Sequence, residues 1–475
     1  MPKASTQPAR GMRDFLPGDV RRRRFVIQTI ASVYERYGFE PLETPAVENL
    51  ETLLGKYGEE GNQLVFRILK RGAELQRALD APEGADGKRE FADLALRYDL
   101  TVPLARVVAE HRDLPRFFKR YQIQPVWRAD RPARGRFREF YQCDVDVLGS
   151  TSPVVEAELC AAAAEALESL GFVDFTIRIN HRQLLTALLD TANVDRAFHT
   201  DALVALDKLG KVTPDQVLED MESRGIPRES AGQAIELFLP ELLLPNVDKP
   251  SNHQVATALR ERIGAHDDGI AALDTLARIE ELATSTAAGG CLKLDPSLAR
   301  GLSYYTGAIM EIAVPDLAGS LGGGGRYDNL VGMFLGQSIP ACGFSLGLER
   351  ILVVMDERKM FPAALEQGSA AEVMVLQWSE AALADSLALA RALRAPGPDG
   401  EPGPRVVLYP EVDKPGKQFK YAETLGVRVA ALVGEDEARD GTVTLKDLRN
   451  RTQVTVPRAE AAGEIRRLLA AGAGH

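Results

Sequence analysis

The chain has few cysteines and no pattern that would use them together. Its four cysteines, at positions 143, 160, 291 and 342 of 475 residues, lie far apart, and no CxxC pair occurs. Neither a zinc site nor a disulfide framework is therefore indicated, and a reducing compartment fits this cysteine usage. The six histidines do not cluster, and no Cys/His nucleophile pair is apparent.

Long apolar runs are also missing. No run approaches the roughly 18 residues that a membrane helix needs, and residues 1–10 lack the apolar centre of a signal peptide. We therefore expect a cytoplasmic protein with no membrane partner. The 45% hydrophobic content supports sizeable cores, and the length favours about three domains.

The common nucleotide-binding and hydrolase motifs are absent. The chain contains no GxxxxGK[ST], and no GxGxxG between a strand and a helix, which argues against a P-loop or a Rossmann site. It also contains no HExxH and no GxSxG. Any nucleotide site must therefore be built in another way.

Positive charge is scarce overall but locally concentrated. A formal net charge of −11 argues against a polyanionic partner, yet contact with a nucleic acid is local. Arg21–Arg24 is interpreted as a solvated helix face. A second basic cluster, between Arg112 and Arg138, differs because aromatic and turn residues alternate with its cations.

Periodicity and breaker residues predict the elements of the first part of the chain. Helices are predicted at 20–37, 153–170 and 348–356, and extended segments at 39–44, 94–98, 175–180 and near 305 and 312. Strands 122–128 and 136–147 should form a hairpin around a loop at 129–135. Thr101 is a candidate cap for the helix that follows Asp99.

Two further regions follow from the same patterns. Residues 182–285 read as a helical insertion broken by prolines, and residues 359–371 as a linker. Beyond the linker, strands at 373–376, 405–408, 428–433 and 442–445 alternate with helices at 382–394 and 418–425. This alternation predicts a small α/β domain.

Two short strings suggest a ligand pocket. Residues 300–307 combine Arg300 with Tyr304 and Tyr305, and residues 322–325 are four consecutive glycines ahead of Arg326 and Tyr327. Arginine binds carboxylates or phosphates through paired hydrogen bonds, and glycine lets a backbone approach a ligand closely. The alternative is a buried tyrosine-rich strand beside a solvated arginine.

The second hairpin strand carries a polar face. Its alternation places Phe140, Gln142, Asp144 and Asp146 on one side, which suits a ligand with an ammonium group and an N–H donor. A polar sheet face turned to solvent is the alternative. Two arginines favour the ligand-binding interpretation. Arg128 and Arg350 lie at the ends of different elements and could hold a polyphosphate from both sides.

These residues carry a family resemblance. Residues 38–45, 126–132 with 135–140, and 343–350 resemble motifs 1, 2 and 3 of the class II aminoacyl-tRNA synthetases. Residues 300–307 and 323–328 resemble the two histidine-specific signatures of the histidyl-tRNA synthetase family. Residues 417–422 and 434–437 resemble that family's anticodon-binding domain.

The resemblance implies an α/β fold in several parts. An α+β catalytic domain at 1–181 and 286–358 would contain an antiparallel sheet of six to seven strands flanked by helices. A helical insertion at 182–285, a linker at 359–371 and a small α/β anticodon-binding domain at 372–475 would complete the chain. Class II enzymes usually pair through motif 1, so a homodimer is implied.

The resemblance also implies a two-step reaction. L-histidine would react with ATP to give histidyl-adenylate and pyrophosphate, and the histidine would then pass to the 3′ end of tRNA(His). Mg²⁺ is expected with ATP, and the sequence indicates no ligands for it.

Site residues are carried over from matching motif positions. The implied histidine-binding residues are Asp99, Leu100, Thr101, Gln142, Asp146, Arg300, Tyr304, Tyr305 and Tyr327. The implied ATP-binding residues are Arg128, Arg136, Glu139 and Arg350, with Arg300 and Arg128 catalytic. Two positions depart from the family pattern, since Asp99 replaces the usual Glu and Ser303 the usual Asp.

Three other functions remain open. A regulatory subunit of ATP phosphoribosyltransferase can resemble this catalytic domain, although such relatives look like that domain alone. A class II synthetase for another amino acid would share motifs 1 to 3. A nucleic-acid-binding protein with an inactive catalytic domain would retain the C-terminal α/β part.

Overall fold

The computed structural model describes residues 5–55, 58–81, 91–210, 212–299, 304–366, 371–397 and 400–471. The chain divides into two compact units, residues 1–360 and residues 361–475. Among the described residues, no helix combines the length and apolarity needed to cross a lipid bilayer.

The strands of the first unit are short except for a central pair. They are β1 (Glu40–Pro41), β2 (Val47–Asn49), β3 (Arg67–Leu69), β4 (Ala92–Leu96), β5 (Phe118–Trp127), β6 (Glu139–Leu148), β7 (Thr176–His181), β8 (Leu292–Leu294), β9 (Ala308–Ala313), β10 (Ser320–Arg326) and β11 (Ala341–Gly347).

Helices surround and interrupt these strands. They are α1 (Pro17–Arg36), α2 (Leu50–Leu53), α3 (Gly58–Leu64), α4 (Gly72–Asp80), α5 (Thr101–Glu110), α6 (Val154–Ser169), α7 (Arg182–Thr191), α8 (His199–Leu206), α9 (Pro214–Ser223), α10 (Arg228–Phe238), α11 (Pro240–Leu243), α12 (Asn252–Ile263), α13 (Asp267–Ala283), α14 (Gly332–Leu335) and α15 (Leu348–Glu357).

One sheet organises the first unit, in the order β1-β5-β6-β11-β10-β9-β7-β8. Among its six central strands, from β5 to β7, each strand is antiparallel to its neighbours. The short strands β1 and β8 add a parallel pair at each edge. The predicted antiparallel sheet is thus confirmed in its six central strands, while the parallel edge strands were not expected.

The hairpin forms with a longer loop than predicted. Strand β5 ends at Trp127 and β6 begins at Glu139, so the strand predicted from residue 136 was wrong at its start. Residues 133 and 136 instead bond to each other's backbone within the loop, at 2.9 and 3.0 Å. The ion pair between Arg136 and Asp130, at 2.9 Å, fastens the same loop.

Helix α5 is capped by a residue two positions before the predicted one. The Asp99 Oδ1 atom accepts a hydrogen bond from the Val102 N–H at 3.0 Å, so the Asp99 carboxylate satisfies a free amide of the first turn. Thr101 is the first residue of the helix and not its cap. This places Asp99 and Thr101 side by side where α5 begins.

The glycine string is a strand, which the sequence did not suggest. Residues 322–325 lie within β10, between β9 and β11. A Cβ at Gly324 would lie 2.0 Å from the carbonyl oxygen of Gly343 on β11. Tyr305, which was predicted to lie in a strand, precedes β9.

Residues 182–285 are predominantly helical, as predicted, and contain α7 to α13. Their helix starts carry recognisable caps. Thr213 and Ser251 each accept from a backbone N–H three residues on, and a glutamine at that position bonds back to the cap, in α9 and α12.

The second unit has its own sheet and core. Its elements are α16 (Ala363–Glu366), β12 (Val373–Val375), α17 (Leu383–Arg394), β13 (Val406–Leu408), α18 (Pro415–Thr424), β14 (Val429–Leu432), α19 (Glu435–Asp440), β15 (Thr442–Asp447), β16 (Thr452–Pro457) and α20 (Ala461–Ala470). The strand order is β13-β12-β14-β15-β16. The sequence predicted the first four of these strands and missed β16, α19 and α20.

Candidate active site

A cavity of about 450 Å³ opens over the central sheet of the first unit. Its walls come from the start of α5, the hairpin loop, and the facing sides of β6, β10 and β11. Phe140, Gln142, Asp144 and Asp146 all line it. The polar face of β6 therefore lines a cavity, and the alternative of a flat sheet surface turned to solvent does not hold.

The base of the cavity is a buried cation between two carboxylates. Arg120 on β5 is fully buried and is paired in register with Asp146 on β6. Its Nη2 lies 2.7 Å from the Asp146 Oδ2 and 4.0 Å from an Asp144 oxygen. One guanidinium thus serves two carboxylates that are each only 2% exposed.

Burial raises the pKa of both carboxyl groups. Burial raises the pKa of Asp144 to about 7, against the opposing effect of Arg120, and the nearby Asp146 raises it further. Burial also raises the pKa of Asp146, while Arg120 and the Tyr327 hydroxyl lower it. The cavity base therefore favours an incoming group that donates hydrogen bonds or carries positive charge.

Tyr327 is joined to this base. Its hydroxyl donates to the Asp146 Oδ1, and the side chain is 2% exposed. Burial, followed by the Asp146 charge, raises the pKa of Tyr327 well above its usual value. A Cβ at position 343 would lie 1.8 Å from the same Asp146 oxygen, so Gly343 is needed for Asp146 to occupy this position.

Gln142 presents an acceptor to the cavity. Its Nε2 donates to the Ser345 Oγ at 3.0 Å. Its Oε1 is buried, with no hydrogen-bond partner among the described residues. Leaving a buried carbonyl oxygen unpaired costs about 1–3 kcal/mol, so this atom is suited to a ligand donor.

Three tyrosines form one wall. The rings of Tyr304 and Tyr305 meet edge to face with centroids 4.9 Å apart, and Tyr304 meets Tyr327 in the same way at 6.2 Å. Edge-to-face packing of this kind fixes ring orientation. The three tyrosines and Asp146 line the same cavity.

Three arginines also line the cavity. Arg128 donates through Nε to the Tyr98 carbonyl at 3.0 Å and covers the Tyr98 ring at 4.3 Å. Arg350, in the first turn of α15, donates to the Ser320 carbonyl at 2.6 Å. Arg136 lines the cavity from the hairpin loop. These three guanidinium groups reach one cavity from two elements, the hairpin loop and α15.

The structure does not bring every implied residue to the cavity. The Leu100 side chain is fully buried, and its carbonyl accepts from Arg120 at 3.3 Å. Glu139 accepts a bond from the Trp127 indole at 3.0 Å and is not among the residues that line the cavity. Arg300 and Ser303 lie outside the described residues.

Sequence reasoning missed several residues at the site. Arg120 was placed in the basic cluster, whereas it is buried beneath the cavity; its same-face spacing with Gln122 and Gln124, opposite Asp144 and Gln142, was the available signal. Arg23 was expected in solvent but is 8% exposed and pairs with Glu349 at 2.9 Å. Glu349 and Ser345 lie within residues 343–350, which resemble motif 3, but neither was given a role.

Two family models match the chain. The model described as "Histidyl-tRNA synthetase" matches residues 11–81 and 85–351. The model described as "Anticodon binding domain" matches residues 372–468. Together these matches extend over both compact units.

Similar proteins and structures agree with the family models. The chain is 41% identical to a histidine–tRNA ligase of Gloeobacter violaceus, over 96% of this chain and 98% of that protein. It is 41% identical to one from Porphyromonas gingivalis, over 95% and 97%. The crystal structure of histidyl-tRNA synthetase from Nostoc superposes with a TM-score of 0.76 at 30% identity, covering 98% of this chain and all of that one.

A fourth comparison concerns the fold alone. A Bacillus halodurans structure described as an ATP phosphoribosyltransferase regulatory subunit/histidyl-tRNA synthetase superposes with a TM-score of 0.66. Its identity is 22%, and it covers 88% of this chain and 97% of that one.

Proposed function

Because the chain belongs to the histidyl-tRNA synthetase family, we propose that it is a histidine–tRNA ligase acting through the cavity over β6, β10 and β11. L-histidine reacts with ATP to give histidyl-adenylate and pyrophosphate. The histidine then passes to the 3′ end of tRNA(His). The observation that carries the amino-acid assignment is the Tyr327–Asp146–Arg120 arrangement at the cavity base.

The imidazole binds at this base. A neutral imidazole has one N–H donor and one acceptor nitrogen. Asp146 provides an acceptor for the donor, and Tyr305 and Tyr327 supply hydroxyls beside it. A side chain without these groups leaves buried polar atoms unpaired, which discriminates by about four to five powers of ten without a second editing step.

The substrate ammonium binds where α5 and β6 meet. Asp99 and Thr101 line the cavity there, and the buried Gln142 Oε1 supplies the acceptor described above. Asp99 keeps the carboxylate that the family usually takes from Glu. The Thr101 hydroxyl and the Gln142 Oε1 can accept hydrogen bonds, and the Asp99 carboxylate carries negative charge. Together these groups match an ammonium group.

ATP binds along the three arginines that line the cavity, Arg128, Arg136 and Arg350. The histidine carboxylate attacks the α-phosphorus, a new acyl–phosphate bond forms, and the bond to the pyrophosphate oxygen breaks. Arg128 neutralises charge at the α-phosphate and Arg350 at the γ-phosphate, with Arg136 nearby. Arg300 is assigned to the α-phosphate and the histidine carboxylate by family resemblance alone. Positioning and charge neutralisation supply the catalysis.

Mg²⁺ enters with ATP in this proposal. Such ions are usually held by one or two carboxylates together with substrate phosphates. In the part of the chain that the structure describes, no group of three His, Cys, Asp or Glu side chains could hold a metal. No step is therefore assigned to a metal held by the protein alone.

The remaining partners are proposed on family grounds. The unit from residue 372 binds the anticodon of tRNA(His), and two chains pair through motif 1, residues 38–45. The protein works in the cytoplasm. The boundaries of the catalytic parts, 1–181 and 286–358, and of the insertion, 182–285, remain proposals.

ATP–pyrophosphate exchange tests this function directly. Histidine should support exchange, and each other standard amino acid should support it at least about a thousandfold more weakly. Arg350→Gln should lose most of the exchange while histidine still binds. Absence of histidine-dependent exchange would favour the regulatory-subunit alternative, and preference for another amino acid would favour a different synthetase.

A further inference from the structure

The segment ahead of α1 returns to the wall of the cavity. The Gly11 carbonyl accepts a hydrogen bond from the Arg138 N–H at 2.8 Å, so the chain before the first helix is fastened to the hairpin loop. Arg138 in turn donates through Nε to the Asp130 carbonyl of that loop at 3.1 Å. The segment is therefore tied to the loop that carries Arg136.

An alternating stack of arginines and aromatic rings extends from this segment. The Arg13 Cζ lies 3.3 Å from the centre of the Phe137 ring and 4.9 Å from that of Phe15. The Arg23 Cζ lies 4.1 Å from the Phe15 ring and 5.0 Å from the Tyr141 ring. Each guanidinium thus lies between two aromatic side chains, an arrangement stabilised by cation–π attraction.

Glu349 closes the stack on its other side. Its Oε1 lies 2.9 Å from Arg23 and 3.8 Å from Arg13, and its Oε2 accepts from the Tyr141 N–H at 2.9 Å. The carboxylate is buried, with a side-chain exposure of 3%. Glu349 belongs to the first turn of α15, directly before Arg350.

The stack and its carboxylate lie beside two of the cavity arginines, Arg136 and Arg350. Phe137 follows Arg136 in the loop, and Glu349 precedes Arg350 in α15; all four line the cavity. Arg13 contacts Phe137 and faces Glu349. Arg13 thus links the residue next to Arg136 with the residue next to Arg350.

We propose that Arg13 is a positioning residue for the nucleotide, holding the Phe137 loop and the Glu349 turn in place beside Arg136 and Arg350. This inference rests on the proposed function only in naming ATP as the nucleotide. Arg13 contacts no reacting atom. Its effect is on ATP binding, because Arg13 contacts Phe137, next to Arg136, and faces Glu349, next to Arg350.

Arg13→Gln removes the planar cation and tests the proposal. The KM for ATP in histidine-dependent exchange should rise about tenfold, as expected for losing a partly desolvated cation–π contact, while the KM for histidine changes less than about twofold. Arg36→Gln is the matched control, since Arg36 forms an exposed pair with Glu165 at 2.7 Å and should alter neither KM.

A double variant separates positioning from general damage. If Arg13 acts through Phe137, Arg13→Gln should raise the KM for ATP by less than about twofold when added to Phe137→Leu, because contacting residues are not additive. Arg13→Lys keeps the charge near Glu349 and should raise this KM only about threefold. It serves as the second variant if Arg13→Gln does not fold.

Calorimetric binding of ATP makes the result independent of catalysis. The Kd for ATP should rise about tenfold in Arg13→Gln, matching the KM, whether or not exchange occurs. An unchanged Kd, an equal rise in the KM for histidine, or fully multiplicative effects with Phe137→Leu would overturn the proposal. Loss of histidine-dependent exchange in the unaltered chain would instead overturn the proposed function.

Discussion

The Tyr327 hydroxyl, buried against Asp146, gives the sharpest single-atom prediction. Tyr327→Phe keeps the ring but leaves an Asp146 oxygen without its donor. We expect the KM for histidine to rise about tenfold to a hundredfold, because an unpaired buried acceptor costs about 1–3 kcal/mol. The KM for ATP should stay within about twofold. Exchange kinetics at varied histidine concentration measure both values.

Tyr121→Phe is the control for this substitution. The Tyr121 hydroxyl also donates to a carboxylate, that of Glu35 at 2.8 Å, but on the outer side of β5. Its removal should leave both KM values unchanged. Equal effects of the two substitutions would mean that the loss of either hydroxyl acts through stability and not through the imidazole site.

Asp144 gives a prediction about pH. Because burial raises its pKa to about 7, the folded state binds a proton that the unfolded state releases above about pH 4. The stability linked to this group is full below about pH 4 and is lost as the pH rises through about 7. Asp144→Asn should therefore melt at a higher temperature than the unaltered chain, and the difference should grow from about pH 5 to about pH 8.

Asp174→Asn should behave in the opposite way. A hydrogen bond from Arg358 lowers the pKa of Asp174, so its contribution is present above the unfolded pKa and is lost on acidification. Thermal unfolding of both variants from about pH 2 to about pH 8 provides the measurement, because the Asp174 contribution changes only below about pH 4. A constant difference between Asp144→Asn and the unaltered chain would contradict a protonated Asp144 in the folded state.

Strand β10 depends on glycine for its contact with β11. A Cβ at Gly324 would lie 2.0 Å from the Gly343 carbonyl oxygen and 2.7 Å from the Phe344 Cα. Since backbone atoms of a central sheet cannot move aside, Gly324→Ala should lower the stability of the first unit by more than about 3 kcal/mol. Thermal unfolding and the yield of folded protein measure this.

Gly232→Ala is the matched glycine control. Gly232 lies inside α10, and nothing lies within 4 Å of a Cβ built there. Alanine should stabilise this helix by up to about 1 kcal/mol. A tolerated Gly324→Ala, with the same melting temperature as Gly232→Ala, would contradict the close approach of β10 and β11.

Regular elements were predictable where local pattern decides them. The alternation along β6 identified Gln142, Asp144 and Asp146 as one face. Side chains two residues apart lie on the same side of a strand whatever its pairing with the next strand. Similar signals predicted β5, β6, β7 and β9, the helices of residues 182–285 and the α/β character of the C-terminal unit, whereas β10 and β11 were not predicted from local pattern. Family motifs added the order of the parts.

Features that depend on tertiary contact were not predictable. Arg120 and Arg23 are of a residue type usually found at the surface, but both are buried. Each forms an ion pair with a carboxylate on another element, Asp146 or Glu349. The glycine strand β10 has no β propensity, and only its neighbours make it a strand. The Asp99 cap was assigned to Thr101 because both residue types cap helices.

At the scale of the whole molecule, the two units separate two tasks. The first contains the cavity, and the second matches the anticodon-binding family model at residues 372–468. Proposed pairing through residues 38–45 predicts a dimer mass by light scattering at micromolar concentration. A monomer with full exchange activity would contradict the proposal of an obligate dimer through motif 1.

Charging of tRNA is the measurement that tests the central claim most directly. The purified chain, supplied with ATP, Mg²⁺ and labelled histidine, should place histidine on the 3′ end of tRNA(His). Tyr327→Phe should slow this at low histidine concentration and recover when histidine is raised. Failure to charge tRNA(His), or charging with another amino acid at a comparable rate, would contradict the assignment of the Asp146–Tyr327 base to imidazole.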